Sequence, residues 1–277
     1  MPVTIKTRLP LNNNTDIPVL GLGTYQTPDG QPTVRAVEAA LDLGYRHIDT
    51  AMIYGNEASV GRAVRESNIP REEIFITTKV WNSDHGYDAT INAFSESLNQ
   101  LSLDYVDLYL IHWPVANLRD ETWRAMEDLL AEGRVKAIGV SNYLVRHLQE
   151  ILDRGKITPA VNQIELHPYN FGLRQDVVEF CRTHNIQIEA YTPLTRGQRF
   201  DDPNLVEVAK QYSKTPAQIL LRWTIQHEIV VIPKSVDPNR IRENADVFDF
   251  SITRQDMDFI DSFNEDLIIC WDPNDTP

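Results

Sequence analysis

The chain has 277 residues, with 26 Lys and Arg against 40 Asp and Glu, and a formal net charge of −14. Because nucleic-acid phosphates are bound by clustered positive charge, this composition argues against a nucleic-acid partner. Two cysteines are too few for a disulfide scaffold, no apolar run reaches the ~18 residues of a membrane span, and the N-terminal residues lack the apolar core of a secretory signal. We therefore expect a cytoplasmic protein with no membrane partner.

Short strand-like runs rich in Val, Ile and Tyr alternate with amphipathic helix-like segments. Before the first run, a turn-rich NNNTD stretch after alternating apolar residues predicts an N-terminal β-hairpin. Helical periodicity is clear in Ile91, Phe94 and Leu98, which fall on one helix face. The strand-like runs begin 26 to 43 residues apart, which fits a strand, a helix and two loops. Eight runs are predicted, at residues 19–25, 45–51, 74–79, 105–113, 134–142, 160–166, 186–194 and 229–235.

The last interval has room for an extra helix at 204–211 before a helix capped by Thr215, and Thr253 marks the start of a C-terminal helix and tail. Eight β/α alternations predict an α/β fold, a closed (β/α)8 TIM barrel, as a single domain over residues 1–277. The alternative is an open doubly wound sheet. That fold would need a G-x-G-x-x-G turn after its first strand, but Gln26 stands where the third glycine should be.

Active sites of such barrels form at the C-terminal ends of the strands. Asp49 and Tyr54 follow the second predicted strand, Lys79 ends the third and His112 ends the fourth. Each residue alone has an ordinary structural explanation, such as a helix cap, a turn tyrosine, a surface lysine or a buried histidine. Four such residues at one rim point instead to a shared chemistry.

The four residue types suit proton transfer to a carbonyl oxygen. A lysine ammonium would lower the tyrosine pKa, an aspartate would keep the lysine charged, and a histidine would donate a hydrogen bond to the carbonyl oxygen. Side chains supply no hydride, so the pattern implies a nicotinamide cofactor.

Two other functions remain open from these residues. A lyase or aldolase would use Lys79 as a Schiff-base nucleophile. The other alternative is a binding or structural protein that has this fold but no catalytic activity. The remaining histidines lack metal-ligand spacing, so no metal site is expected. Ser141 lacks a G-x-S-x-G context, which argues against hydrolase chemistry.

Eight ordered blocks of the sequence carry a stronger signal than any single residue. They are GLGTY (21–25), GYRHIDTAMIYGNE (44–57), ITTKVW (76–81), DLYLIHWP (107–114), IGVSNY (138–143), VNQIELHPY (161–169), AYTPL (190–194) and IPKSVDPNRIREN (232–244). Together they resemble the aldo-keto reductase family over nearly the whole chain. The resemblance implies NADPH-dependent reduction of aldehydes and ketones to alcohols. It also implies a catalytic tetrad of Asp49, Tyr54, Lys79 and His112, in which Tyr54 gives the proton.

The resemblance also implies a cofactor site. Tyr191 would stack on the nicotinamide, while Lys234 and Arg240 would hold the 2′-phosphate of NADPH by charge-assisted hydrogen bonds. Asp237 would repel that phosphate, so NADH is a possible second cofactor. The other expected cofactor residues are Gly23, Thr24, Tyr25, Asp49, Thr192, Pro193, Leu194 and Val236, together with Ser141, Asn142 and Gln163 at the carboxamide, Ser235 at the phosphate, and Glu243 and Asn244 at the adenine.

Aromatic residues at the strand ends predict a cavity for a carbonyl substrate with an apolar or ring-like body. The stretch VANLRDET (115–122) is short, as in the bacterial group of the family that includes the diketogluconate reductases. This resemblance implies a monomeric protein with an open site. The implied substrates are α-dicarbonyls, aromatic aldehydes, keto sugars and keto esters. The expected substrate-binding residues are Tyr25, Tyr54, Trp81, His112, Trp113 and Trp271.

Overall fold

The computed structural model describes residues 3–276 and contains one eight-stranded parallel sheet in which consecutive strands are neighbours. The sheet curls into a barrel. A separate two-stranded hairpin precedes it, formed by β1 (Arg8–Pro10) and β2 (Asp16–Pro18). The barrel strands are β3 Leu22–Gly23, β4 His47–Asp49, β5 Phe75–Val80, β6 Val106–Ile111, β7 Val135–Ser141, β8 Val161–Glu165, β9 Gln187–Tyr191 and β10 Val230–Val231.

The two outer strands of this sheet meet and close the barrel. Leu20 pairs with Val231 and Gly23 pairs with Lys234 as isolated parallel bridges, and the Gly21 amide donates to the Val231 carbonyl at 2.9 Å. The predicted (β/α)8 barrel is therefore confirmed, and the open doubly wound alternative is wrong. β3 and β10 contain two residues each, fewer than the apolar runs predicted, because single bridges replace a continuous ladder at this seam.

Helices cover the outside of the barrel, and the extra helix predicted at 204–211 is present as α7. No helix within the described part of the chain is long and apolar enough to cross a membrane. The helices are α1 Gln31–Asp42, α2 Glu57–Glu66, α3 Tyr87–Leu101, α4 Arg119–Ala131, α5 Val145–Arg154, α6 Gln175–Thr183, α7 Pro203–Gln211, α8 Pro216–Gln226, α9 Pro238–Ala245 and α10 Arg254–Asp261.

The two helix starts predicted from sequence are confirmed. Thr215 Oγ1 accepts a hydrogen bond from the backbone N–H of Gln218 at 3.3 Å, which caps α8. Thr253 Oγ1 accepts from the backbone N–H of Asp256 at 3.2 Å, which caps α10. Both caps satisfy N–H groups that have no partner inside their own helix.

The N-terminal hairpin packs against the bottom of the barrel. Its strands pair antiparallel, as the turn-rich stretch predicted. Leu11 and Ile17 are buried and join a core cluster formed with the inward-facing apolar residues of the barrel strands. Val3 and Ile5, whose alternation suggested strand structure, lie outside both strands and pack against the main core instead.

Alternation along each strand decides which side chains enter the barrel. Thr77 and Lys79 share the inward face of β5, and His47 and Asp49 share the inward face of β4. Parallel strands all end at one rim, here called the mouth of the barrel. Inward-facing residues at the carboxyl ends of the strands therefore meet at the mouth.

Helices α2 and α3 pack tightly at Gly61, where an added Cβ atom would clash with the carbonyl oxygen of Leu101. We predict that Gly61→Ala lowers the free energy of unfolding by about 1–3 kcal/mol, because the added methyl group forces the helices apart. Urea denaturation measures the change. Ala58→Ser, on the exposed face of α2, is the control and should cost about 0.5 kcal/mol or less. Equal stability of Gly61→Ala and the parent protein would contradict this packing.

Candidate active site

A buried ion pair lies at the mouth of the barrel between two neighbouring strands. Lys79 Nζ donates to both carboxylate oxygens of Asp49, each at 2.7 Å, and to the carbonyl oxygen of Thr50 at 2.8 Å. Asp49 also accepts from Gln163 Nε2 at 2.8 Å. The Lys79 side chain has no exposed surface, so its charge is balanced inside the protein. Without this carboxylate the buried ammonium would have no counter-charge.

Tyr54 and His112 lie next to this ion pair. Residues Met52–Tyr54 form a single 3-10 turn after β4, and Gly55 follows with a φ of 66°, a conformation that favours glycine. The turn places the Tyr54 ring centroid 5.2 Å from Lys79 Nζ and 5.6 Å from the His112 ring. The four residues singled out from the sequence therefore meet at one place.

Burial controls the protonation of the tyrosine and the histidine. It raises the pKa of the Tyr54 hydroxyl well above its usual value, and the Asp49 charge acts in the same direction. The expected net lowering of the Tyr54 pKa is therefore not found, because burial and the Asp49 charge dominate at the hydroxyl. Burial, assisted by the Lys79 charge, lowers the pKa of His112 well below its usual value. At neutral pH the phenol is protonated and the imidazole is neutral, so both can donate a hydrogen bond.

Polar side chains from three further strand ends form a wall beside Asp49. Ser141 Oγ donates to the Gln163 carbonyl oxygen at 2.9 Å. Asn142 Nδ2 donates to the His112 carbonyl oxygen at 3.0 Å, and the Tyr191 hydroxyl donates to Asn142 Oδ1 at 2.6 Å. These bonds fix the Tyr191 side chain at the mouth.

Cations gather where α9 begins. Lys234 and Arg240 line the same cavity as the groups above, and neither takes part in an ion pair among residues 3–276. The Asp237 carboxylate caps α9 by accepting from the backbone N–H of Asn239 at 2.9 Å. An anion at this helix start would therefore meet two cations, the positive end of the helix dipole and one carboxylate.

Aromatic side chains form the rest of the mouth. The Tyr25 ring lies 5.0 Å from the Tyr54 ring. Trp271 reaches over from the C-terminal tail, with its ring 5.8 Å from that of Trp113 and 6.4 Å from that of Trp81. The connection after β6 is even shorter than the sequence suggested, because the second half of the stretch 115–122 belongs to α4.

A buried carboxylate holds the tail that carries Trp271. Glu165 accepts hydrogen bonds from the backbone N–H groups of Ile269 at 2.8 Å and Cys270 at 2.9 Å. His167 Nε2 lies 3.2 Å from the same carboxylate. Burial alone would raise the pKa of Glu165, but these hydrogen bonds outweigh it and lower the pKa. The carboxylate stays charged and fixes the tail at the mouth.

The groups at the mouth line one cavity of about 1110 Å³. This volume exceeds the ~300–1000 Å³ typical of a site for one small ligand, so an extended ligand and a small one can fit together. Three predicted site residues lie off the lining. Lys79 is behind Asp49, Thr24 is buried with its hydroxyl donating to the Asp49 carbonyl oxygen at 2.9 Å, and Val236 is exposed beside the cavity. The other predicted cofactor and substrate residues all line it.

Part of the lining was missed from the sequence. Thr195 and Arg196, in the segment directly after β9, have positive φ angles that bend the chain along the cavity. Their place after a predicted barrel strand is the signal that could have identified this segment. The missed lining residues are Gln26, Ile53, Arg196, Gly197, Phe200, Ala217, Ile232, Ile269 and Cys270.

Comparisons of the sequence and of the fold with known proteins agree on one family. Residues 19–265 match the sequence profile of the Aldo/keto reductase family. A glyoxal reductase of Bacillus subtilis is 46% identical over 275 residues, which cover 99% of each chain. A 9,11-endoperoxide prostaglandin H2 reductase of Trypanosoma cruzi is 49% identical over 95% of this chain and 94% of that protein. The crystal structure of MGS-M4, an aldo-keto reductase from a Medee basin deep-sea metagenome library, gives a TM-score of 0.91 at 49% identity, covering 98% of this chain and 100% of the other.

We predict that Glu165→Gln loosens the tail. An amide can accept from only one of the two backbone N–H groups and presents its own N–H groups to the other, which costs about 1–2 kcal/mol of local stability. Limited proteolysis with chymotrypsin, which can cleave after the 67% exposed Trp271, should then proceed several-fold faster. Glu265→Gln removes an exposed tail carboxylate paired with Arg199 and serves as the control. Identical cleavage rates for the three proteins would refute the anchoring role of Glu165.

Proposed function

The chain belongs to the aldo/keto reductase family and is a carbonyl reductase that uses a nicotinamide cofactor, and on that premise we propose that it is NADPH-dependent and takes its proton from Tyr54. The observation that carries the proposal is the protonated Tyr54 phenol at the cavity, next to a buried Lys79–Asp49 ion pair and a neutral His112. The proposed reaction reduces aldehydes or ketones to alcohols.

The residues at the mouth fit a nicotinamide cofactor. The Tyr191 ring, fixed by its hydrogen bond to Asn142, offers an aromatic surface to a planar ring. Gln163 Oε1 accepts no hydrogen bond within the described residues and can receive a carboxamide N–H. Lys234 and Arg240 suit the additional phosphate of NADPH. When bound, the nicotinamide supplies the hydride that reaches the carbonyl carbon.

The four residues beside the cavity handle the proton. Tyr54 is protonated at neutral pH and donates its proton to the carbonyl oxygen as negative charge develops there. The neutral His112 donates a hydrogen bond to the same oxygen and orients the substrate. Lys79, kept charged by Asp49, stabilises the phenolate that Tyr54 becomes. A positioned acid of this kind accelerates a reaction about 10²–10⁴-fold.

The geometry argues against Schiff-base chemistry at Lys79. A nucleophilic lysine must lose its proton and reach the substrate. Lys79 instead lies behind Asp49, off the cavity lining, and all its contacts stabilise the charged form. Membership of the oxidoreductase family also removes the non-catalytic binding protein from consideration.

The substrate part of the cavity favours small carbonyl compounds with an apolar or aromatic body. Trp81, Trp113 and Trp271 provide apolar walls beside Tyr54. Because a glyoxal reductase is among the relatives, α-dicarbonyls are suitable candidates. Aromatic aldehydes, keto sugars and keto esters complete the proposed range, and membership of the diketogluconate-reductase-like subgroup stays a prediction.

We predict that Tyr54→Phe lowers kcat by about 10²–10⁴-fold because the proton donor is lost. The measurement is NADPH oxidation with glyoxal or an aromatic aldehyde, together with a fluorescence titration in which the Kd for NADPH should stay unchanged. Tyr87→Phe removes an exposed phenol that donates to Asp128 on the outside of the barrel, and it should leave turnover unaltered. Retained turnover in Tyr54→Phe would disprove the assignment of Tyr54 as the acid.

Cofactor preference depends on the balance of charge where α9 begins. Lys234 and Arg240 favour a phosphate there, and Asp237 opposes it. Because two cations outnumber one carboxylate here, we expect NADPH to bind more tightly than NADH. The repulsion from Asp237 reduces this difference, so NADH is a possible second cofactor.

We predict that Asp237→Ser tightens NADPH binding about three- to tenfold, because it removes repulsion worth roughly 1 kcal/mol. Serine also caps helices well, so α9 should persist. NADH, which lacks the phosphate, should bind as before, and fluorescence titration gives both Kd values. Asp258→Ser on α10 changes the net charge equally and is the control. Equal tightening of NADH and NADPH by Asp237→Ser would rule out a phosphate-specific effect.

A further inference from the structure

A second buried carboxyl group adjoins the Asp49–Lys79 pair and has no part in the chemistry proposed above. Glu189 on β9 is fully buried and pairs in register with Gln163 on β8. Gln163 Nε2 donates to Glu189 Oε2 at 2.7 Å and to Asp49 Oδ2 at 2.8 Å. One amide nitrogen therefore bridges two carboxyl groups.

This bridge fixes the direction of the Gln163 amide. The amide nitrogen has two N–H donors, and the two carboxyl groups accept both of them. In the reverse orientation the amide oxygen would face the Asp49 carboxylate. Both groups are hydrogen-bond acceptors, so they would repel each other. Gln163 Oε1 is consequently left free, among the described residues, at the cavity that Gln163 lines.

The charges around Glu189 balance only when it holds a proton. Asp49 and His47 face it from β4, and Lys79 faces the cluster from β5; Val230, its register partner on β10, is uncharged. His47 Nε2 lies 3.5 Å from Glu189 Oε1, but burial lowers the pKa of His47 to about 3, so the imidazole is neutral. The single ammonium is already paired with Asp49. A second carboxylate would therefore be uncompensated.

Burial raises the pKa of Glu189 to about 8, and the Asp49 charge adds to the shift. The folded-state pKa thus lies above that of an unfolded glutamate. The bound proton stabilises the fold fully at low pH, and this contribution is lost as the pH rises toward the folded-state value. Glu189 therefore keeps its proton to a higher pH than an exposed glutamate does, and it becomes a carboxylate only as the pH rises above neutral.

We propose that Glu189 is a positioning residue that directs Gln163 Oε1 toward the carboxamide of the nicotinamide and whose charge sets the relative affinity for oxidised and reduced cofactor. The inference rests on the proposed function, because it assumes a nicotinamide ligand. The oxidised nicotinamide ring is a cation and the reduced ring is neutral. Protonated Glu189 adds no charge to the site, so the oxidised product gains no extra attraction. Ionised Glu189 adds one negative charge and favours the oxidised form.

Glu189→Gln tests the role of the charge, because it preserves the shape and an acceptor for Gln163 but cannot ionise. Fluorescence titrations give the ratio of Kd for NADP⁺ to Kd for NADPH at pH 7 and pH 9. In the parent protein this ratio should fall about three- to tenfold over that range. In Glu189→Gln it should stay constant. Glu57→Gln, at a buried carboxyl group that accepts from the Thr78 hydroxyl off the cavity lining, should behave like the parent.

Glu189→Leu tests the positioning role. It removes the acceptor for Gln163, so at pH 7 the Kd for both cofactor forms should rise about fivefold or more. Infrared spectroscopy of the ligand-free protein provides a readout independent of the cofactor. The parent at pH 7 should show the carbonyl stretch of a protonated carboxylic acid that is absent from Glu189→Gln. If Glu189→Leu fails to fold, Glu189→Met, a side chain of similar length whose sulfur is only a weak acceptor, takes its place in the same titrations.

The outcomes separate this inference from the proposed function. Absence of NADPH and NADH binding by the parent protein would overturn the proposed function, and this inference with it. Normal binding with the same pH dependence in the parent and Glu189→Gln would overturn only the charge role. A Glu189→Leu variant that folds and binds the cofactors as the parent does would overturn the positioning role.

Discussion

The active site depends on holding one ammonium group inside the barrel. Lys79 is fully buried, and taking an ion out of water costs several kcal/mol unless a counter-charge and hydrogen bonds replace the solvent. Asp49 and Thr50 supply both from the adjoining strand, so β4 and β5 must keep their register. Losing either partner would leave an uncompensated charge. The pair therefore acts as one unit, and the environments of Tyr54 and His112 are built around it.

The features that the sequence predicts correctly depend on order along the chain or on near neighbours. Every strand of a parallel barrel ends at the same rim, so identifying the strand ends was enough to bring Asp49, Lys79 and His112 together. The caps at Thr215 and Thr253 involve residues three positions away, which makes them visible in a linear pattern. Neither kind of inference requires knowledge of side-chain depth.

The features that the sequence did not predict depend on burial and on contacts between distant segments. The pKa of Tyr54 rises mainly because the side chain is buried, and the depth of burial cannot be read from the linear sequence. In the sequence, Glu189 is simply a polar residue within a predicted strand. Its role is visible only in the folded barrel, which brings Gln163 against Asp49, 114 positions away. Arg196 adopts a positive φ that arginine rarely takes, so residue propensities do not predict the bend in the chain at this position.

The acidic composition is compatible with an anion site because most of the excess charge lies elsewhere. Segment 245–277 contains nine acidic residues and one basic residue, which accounts for −8 of the total −14. Its acids pair with cations on the barrel, as Asp249 does with Lys214 at 2.8 Å. Lys234 and Arg240 are left out of such pairs within the described residues and stay at the cavity. Since exposed charges are largely screened beyond ~10 Å at roughly 0.1 M salt, this local pattern governs anion binding more than the net charge does.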